Sequence, residues 1–120
     1  MKLAIIGSRC YDNYEQVSTV LSEYKSQVVL VVSGGAKGAD SLGEKWALKN
    51  NIETLIFPAD WGKYGRRAGY IRNEDIIKNC DYVIAFWNGK SKGTANSIAL
   101  ANKYNKPIKI INVWDYLKSW

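Results

Sequence analysis

Val28-Val29-Leu30-Val31-Val32-Ser33-Gly34-Gly35-Ala36-Lys37-Gly38-Ala39-Asp40 is the stretch that decides the fold. Five successive apolar residues, four of them β-branched, predict a strand buried on both faces, which is how strands of a parallel sheet read. Glycines then break the run. Beyond them Ala39, Leu42 and Trp46 recur at helical spacing, with Gly43 on the same side, where a small residue lets a helix approach a strand. The unit is strand, glycine-rich turn, helix.

The same unit repeats along the chain. Leu3 to Ile6 is an apolar run closed by Gly7, Ile52 to Phe57 is stopped by Pro58, and Tyr82 to Phe86 is followed by Trp87-Asn88-Gly89. A fifth run, Ile108 to Val113, is entered through Pro107. Between the runs lie amphipathic patterns: Val17, Val20, Leu21 and Tyr24 on one face, a narrow stripe of Ala95, Ile98 and Ala101, and a shorter helix around Glu74 to Lys78. The alternation predicts one doubly wound, three-layer α/β/α domain over residues 1–120 with a five-stranded parallel sheet. The segment Trp114 to Trp120 reads as a terminal helix or as a contact to a second subunit.

Composition narrows the function. At 47% hydrophobic and 23% charged residues, a chain of 120 has material for one core. No apolar run approaches the roughly 20 residues of a membrane span. Met1-Lys2 leads straight into Leu3-Ala4-Ile5-Ile6-Gly7, too brief for a signal peptide, so a cytoplasmic setting is expected. Histidine is absent, which removes Ser-His and Cys-His catalysis and His-ligated metal sites. Cys10 and Cys80 form no CxxC pair, and no metal or cofactor is expected. Seventeen Lys and Arg against eleven Asp and Glu leave +6, a surplus that suits anionic partners.

Three predicted strands end in turns rich in Gly and small polar residues, where doubly wound sheets bind ligands. They are Gly7-Ser8-Arg9, Ser33-Gly34-Gly35-Ala36-Lys37-Gly38-Ala39-Asp40 and Asn88-Gly89-Lys90-Ser91-Lys92-Gly93-Thr94. Such turns let backbone amides face a phosphate, with the following helix start adding partial positive charge. Lys37, Lys90 and Lys92 would add point charges. One such turn alone is an ordinary connector; three on one sheet edge point to phosphate. Neither longer turn is a Walker P-loop or a GxGxxG dinucleotide fingerprint, which argues against kinase-like ATP hydrolysis.

A fourth stretch, residues 57–73, is long for a strand-to-helix connection. It carries Arg66, Arg67 and Arg72 with Asn73, suited to gripping phosphate, and Trp61 and Tyr64, suited to stacking a base. It also reads as a solvated basic loop with an aromatic plug. Asp40 is either a first-turn helix carboxylate or an acceptor for a ribose hydroxyl. Asp60 is either an Asx-turn residue or a ligand group. Glu74 is a first-turn helix acid or a candidate catalytic carboxylate. Ser8 and Thr94 read as phosphate donors rather than nucleophiles.

VSGGAKGADSLGEKWA, FPADWGKYGRRAGYIRNEDI and DYVIAFWNGKSKGTANSIALA, in this order, resemble the YspA-like, cpYpsA-related branch of the SLOG superfamily, whose function is unknown. The resemblance runs from Gly7 to Ala101. It implies a Rossmann-like fold, related to the DNA-processing protein DprA and the LOG nucleotide phosphoribohydrolases, and a nucleotide-derived ligand such as ADP-ribose. LOG hydrolases carry an Arg on the helix before the fourth strand, where Arg72 falls, and a PGGxGTxxE-type turn after it. Gly93-Thr94 match the GT of that turn. The Pro and paired glycines are replaced by Trp87-Asn88-Gly89-Lys90, and the Glu positions hold Asn96 and Ser97. Cleaving an N-glycosidic bond needs a carboxylate. Either Asp40, Asp60 or Glu74 supplies it, with Arg72 beside it, or the protein binds without cleaving.

Three readings stand: a nucleotide-binding sensor or sequestering protein, a nucleoside-phosphate N-glycosidase, and a DprA-like binder of single-stranded nucleic acid. SLOG relatives and an excess of aromatics lead us to expect a homodimer or larger assembly.

Overall fold

The computed structural model describes residues 1–113. The segment from Trp114 to Trp120, for which a helix or a subunit contact is expected, lies outside them. In chain order the elements are β1 (Lys2–Gly7), α1 (Tyr14–Ser22), β2 (Leu30–Ser33), α2 (Ala39–Lys49), β3 (Glu53–Ile56), α3 (Trp61–Tyr64), a 3-10 turn (Gly65–Arg67), α4 (Ala68–Lys78), β4 (Tyr82–Trp87), α5 (Lys92–Lys103) and β5 (Ile108–Asn112). The strands form one parallel sheet in the order β3-β2-β1-β4-β5. This is the predicted Rossmann-like α/β architecture. Strand order reverses between β1 and β4, and a crevice opens beyond their carboxyl ends.

Two apolar layers flank the sheet. Leu3 and Ile5 of β1 face α1 and α2 with Val17, Leu21, Trp46, Ile84 and Phe86. Ala4 and Ile6 face the other way, with Val32, Ile76, Ile77, Val83 and Ala101. This is why β1 and β4 read as unbroken apolar runs: alternate residues serve different layers. Gly43 earns its predicted place, since a Cβ there would lie 2.8 Å from Ile5 Cδ1.

The structure departs from the sequence reading in two places. All four residues of β3 are solvent-exposed, although continuous hydrophobicity predicts cover on both faces. β3 ends the sheet, and an edge strand has a neighbour on one side only. Residues 57–73 are not a long loop either. They hold α3, the 3-10 turn and the first half of α4, which begins at Ala68, not near Glu74.

Candidate functional site

Gly7, the last residue of β1, stands at the reversal point. Its neighbour Ser8 is buried and ties three elements together. The Ser8 amide donates to Phe86 O (3.0 Å), its carbonyl accepts from Ala39 N (3.3 Å), and its hydroxyl accepts from Asn88 N (3.3 Å). The end of β1, the end of β4 and the start of α2 are thereby locked into one rigid edge.

Above that edge lies a cleft of about 250 Å³. Its floor is Ile6, Gly7 and Ile76; α2 and its turn contribute Ala36 and Asp40. Gly69, Tyr70, Arg72 and Asn73 come from α4, Trp61 and Arg66 from the segment before it, and Arg9 from the turn after β1. The start of α5 supplies Ser91, Gly93, Thr94 and Ser97. Among these described lining residues are three arginines and one carboxylate.

That carboxylate is Asp40, 6% exposed. It accepts from the Gly34 amide (3.1 Å). Burial pushes it up to about 6, against the opposing pull of Arg72 and of amide hydrogen bonds from Ala36 and Gly34. Arg72 Nη1 donates to Gly34 O (2.8 Å) and its Nε to Asn73 Oδ1 (3.1 Å). Its burial, with Arg9 nearby, lowers its proton affinity, while Asp40 raises it. Asn73 Nδ2 in turn donates to Gly93 O (3.3 Å) and Asn96 Oδ1 (3.2 Å). One chain of hydrogen bonds thus runs from the α2 turn through α4 to the start of α5. On the α5 side Ser91 caps the helix: its hydroxyl accepts from Thr94 N (3.4 Å) and lies 3.0 Å from the Thr94 hydroxyl.

Of the residues singled out from sequence, Gly7, Arg9, Asp40, Trp61, Arg66, Arg72, Asn73, Ser91, Gly93 and Thr94 line the cleft. Ser8, Ser33, Gly34, Gly35 and Gly38 do not line it; Ser8 and Gly34 bond to residues that flank or line it. Ser33 donates to Glu44 (2.7 Å) and accepts from Gly35 N (3.3 Å). Lys37, Arg67, Gly89, Lys90 and Lys92 are exposed around the same sheet edge and do not line the cleft. Asp60 caps α3, accepting from Lys63 N (3.1 Å), and so takes the turn-closing alternative. Glu74 pairs along its helix with Lys78 at 3.3 Å. Neither lines the cleft, which leaves Asp40 as the carboxylate candidate there. Sequence reasoning missed Tyr70 and chose Tyr64, whose ring lies under Lys63 outside the cleft. Recognising α4 back to Ala68 would have found Tyr70, two positions from Arg72. Burial pushes the Cys80 thiol up to about 11, so it is protonated at neutral pH. Among the described residues no group of three or more Cys, Asp and Glu is placed to hold a metal ion.

Comparison with known proteins reproduces this architecture. DNA processing protein A (DprA) from Streptococcus pneumoniae superposes with a TM-score of 0.78 over 93% of this chain, at 21% identity. DNA processing protein A from Helicobacter pylori, described for its single-stranded DNA binding mode, gives 0.72 over 92%, at 24% identity. The chain spans 50% and 64% of those two proteins, and at such identities the likeness speaks for the fold. Gene 61 protein of Mycobacterium phage D29 is 31% identical over 116 residues, covering 89% of this chain and 93% of its own. The sequence model of the YspA, cpYpsA-related SLOG family (YAcAr) matches residues 1–64, the half that carries β1, β2 and the turn leading into Asp40. With the five-stranded sheet in place and a relative matched along nearly its whole length, the chain belongs to the YspA, cpYpsA-related SLOG family.

Proposed function

We propose that the cleft binds a nucleotide or nucleotide-derived ligand through its phosphate, and that the protein acts as a sensor or sequestering protein rather than a hydrolase. One observation carries the reading: Arg9, Arg66 and Arg72 line a crevice at the strand-order reversal that holds, among the described residues, one carboxylate, the buried Asp40. The start of α5 adds hydroxyls and a helix dipole on the same side. Hydrolysis has less support. α5 carries Asn96 and Ser97 at the positions where the resemblance to LOG hydrolases expects Glu, and among the described residues the cleft's carboxylate, Asp40, is buried and accepts from the Gly34 amide.

Calorimetry against a panel of nucleotides, with liquid chromatography for released base, tests the proposal. Binding without base release is expected. Arg72→Ala should weaken binding by about 1.5–3 kcal/mol, the scale of a hydrogen bond to a charged group. It should also lower stability, because Arg72 holds the Gly34 carbonyl. A stability loss with unchanged affinity makes Arg72 purely structural and sinks the reading.

The likeness to DprA supports a second reading, binding of single-stranded DNA, as do the exposed cations Lys37, Lys63, Arg67, Lys90 and Lys92. A strand gripped by several of them would be released by salt with a steep log–log slope, whereas one phosphate in the cleft gives a shallow one.

A further inference from the structure

Instead of packing into the core, two aromatic side chains stay half exposed at the cleft. Trp61 is 54% exposed and Tyr70 51% exposed, yet both line it. The two large apolar rings stand in water at the rim of a charged cleft, while Trp46 and Tyr11 are packed fully inside. The indole is nevertheless held. Asp60 caps α3 directly before Trp61, and the outer edge of the ring lies against α4, within van der Waals reach of position 69. Arg66 lines the same end. The hydroxyls of Ser91 and Thr94 come from α5 instead, so the cleft joins a polar wall to an aromatic one.

We propose that Trp61 and Tyr70 form a base-stacking subsite, so that the cleft selects ligands carrying a nucleobase over sugar phosphates of the same charge. The proposal rests on the phosphate-binding reading of the cleft and adds to it the part of the ligand that is recognised. An aromatic face accepts any base, because every base has a π-face. Selection between bases is therefore expected to be weak, and selection for having a base strong. At about 250 Å³ the cleft lies just below the roughly 300–1,000 Å³ common for small-molecule sites, so a nucleotide would keep part of its surface in water, as rings at the rim allow.

The test compares adenosine 5′-monophosphate with ribose 5-phosphate by calorimetry, in the parent protein, Trp61→Ala, Trp61→Ala with Tyr70→Ala, and Trp61→Phe. The parent should prefer the nucleotide by roughly 5- to 150-fold, the range that stacking one base on one aromatic ring spans. Trp61→Ala should lower that ratio several-fold, Trp61→Ala with Tyr70→Ala should bring it close to one, and Trp61→Phe should keep most of it, the loss in each case falling on the nucleotide and not on ribose 5-phosphate. Equal binding of the two ligands by the parent overturns the subsite but leaves the phosphate cleft standing, as does a ratio that survives Trp61→Ala with Tyr70→Ala. If neither ligand binds while a single-stranded oligonucleotide does, both the subsite and the nucleotide reading fall and the strand reading replaces them.

Discussion

The turn from β2 into α2 and the turn from β4 into α5 look alike in sequence, each with glycines, a lysine and a helix start, and the structure uses them in opposite ways. The first turn is filled by the protein itself. Its Gly34 amide is bound by Asp40, its Gly34 carbonyl by Arg72, and the Ala39 amide by the Ser8 carbonyl. A Cβ at Gly34 would lie 2.9 Å from Asp40 Oδ2. The second turn is also tied to itself, Asn88 Oδ1 accepting from Lys90 N and Ser91 N (2.9 Å each) and Ser91 capping the helix, but a Cβ at Gly93 would meet nothing within 4 Å. Glycine makes room in both. In one the room is taken by Arg72 and Asp40; in the other it faces the cleft. A helix N-terminus attracts an anion in either case, and α2 has brought its own in Asp40.

Substitution separates the two turns most sharply at Gly38, the N-cap of α2. Its φ of +80° is a conformation that side chains resist, and a Cβ there would overlap the Ser8 carbonyl, which is backbone and cannot swing away. Gly38→Ala should cost about 3 kcal/mol or more of stability in urea unfolding. A loss below about 1 kcal/mol would mean that the first turn is as loose as an ordinary connector, and the contrast would fail.

Asp40 tests the same turn through pH. Its folded pKa, about 6, lies above the ordinary aspartate value of 3.8. The native state therefore holds this proton more tightly than the unfolded chain does. The stability it contributes is full below about pH 4 and is lost as pH rises through about 6. Two units at about 1.4 kcal/mol each put the change on the order of 3 kcal/mol. Asp40→Asn cannot titrate, so the difference in unfolding free energy between parent and variant should vary with pH across this window. A constant difference from pH 4 to pH 7 would show that Asp40 ionises as freely as in water.

Much of the fold was legible because burial on two faces leaves continuous apolar runs, and β1, β2 and β4 carry them. β3 carries one too and is exposed, since a run reports apolarity and not the strand's place in the sheet. The helix α4 was hidden because its buried positions include Ala68 and Asn73 beside Ile76 and Ile77, a stripe too small and too polar to register as periodic. α3 has only four residues and cannot show a period at all. The cleft was legible in outline from strand ends and glycines. Which turn stays open was not, because Gly34 is filled by Arg72, 38 positions further along the chain.

Gly93 gives the smallest expected change and the finest test of the comparison. It is the second residue of α5, is exposed, and lines the cleft beside Ser91 and Thr94. Because a Cβ finds open space there, Gly93→Val should fold normally, with stability within about 1 kcal/mol of the parent; valine is at least as good a helix residue as glycine. The valine methyls would instead stand where a phosphate approaches the first amides of α5. Affinity for adenosine 5′-monophosphate should then fall by about tenfold, or about 1.4 kcal/mol. The same pair of measurements on Gly34→Ala should reverse the pattern at the first step, losing stability before affinity can be read. If Gly93→Val binds as the parent does, the phosphate does not sit at α5. The arginines alone would then carry it, and the second turn would be as closed to ligand as the first.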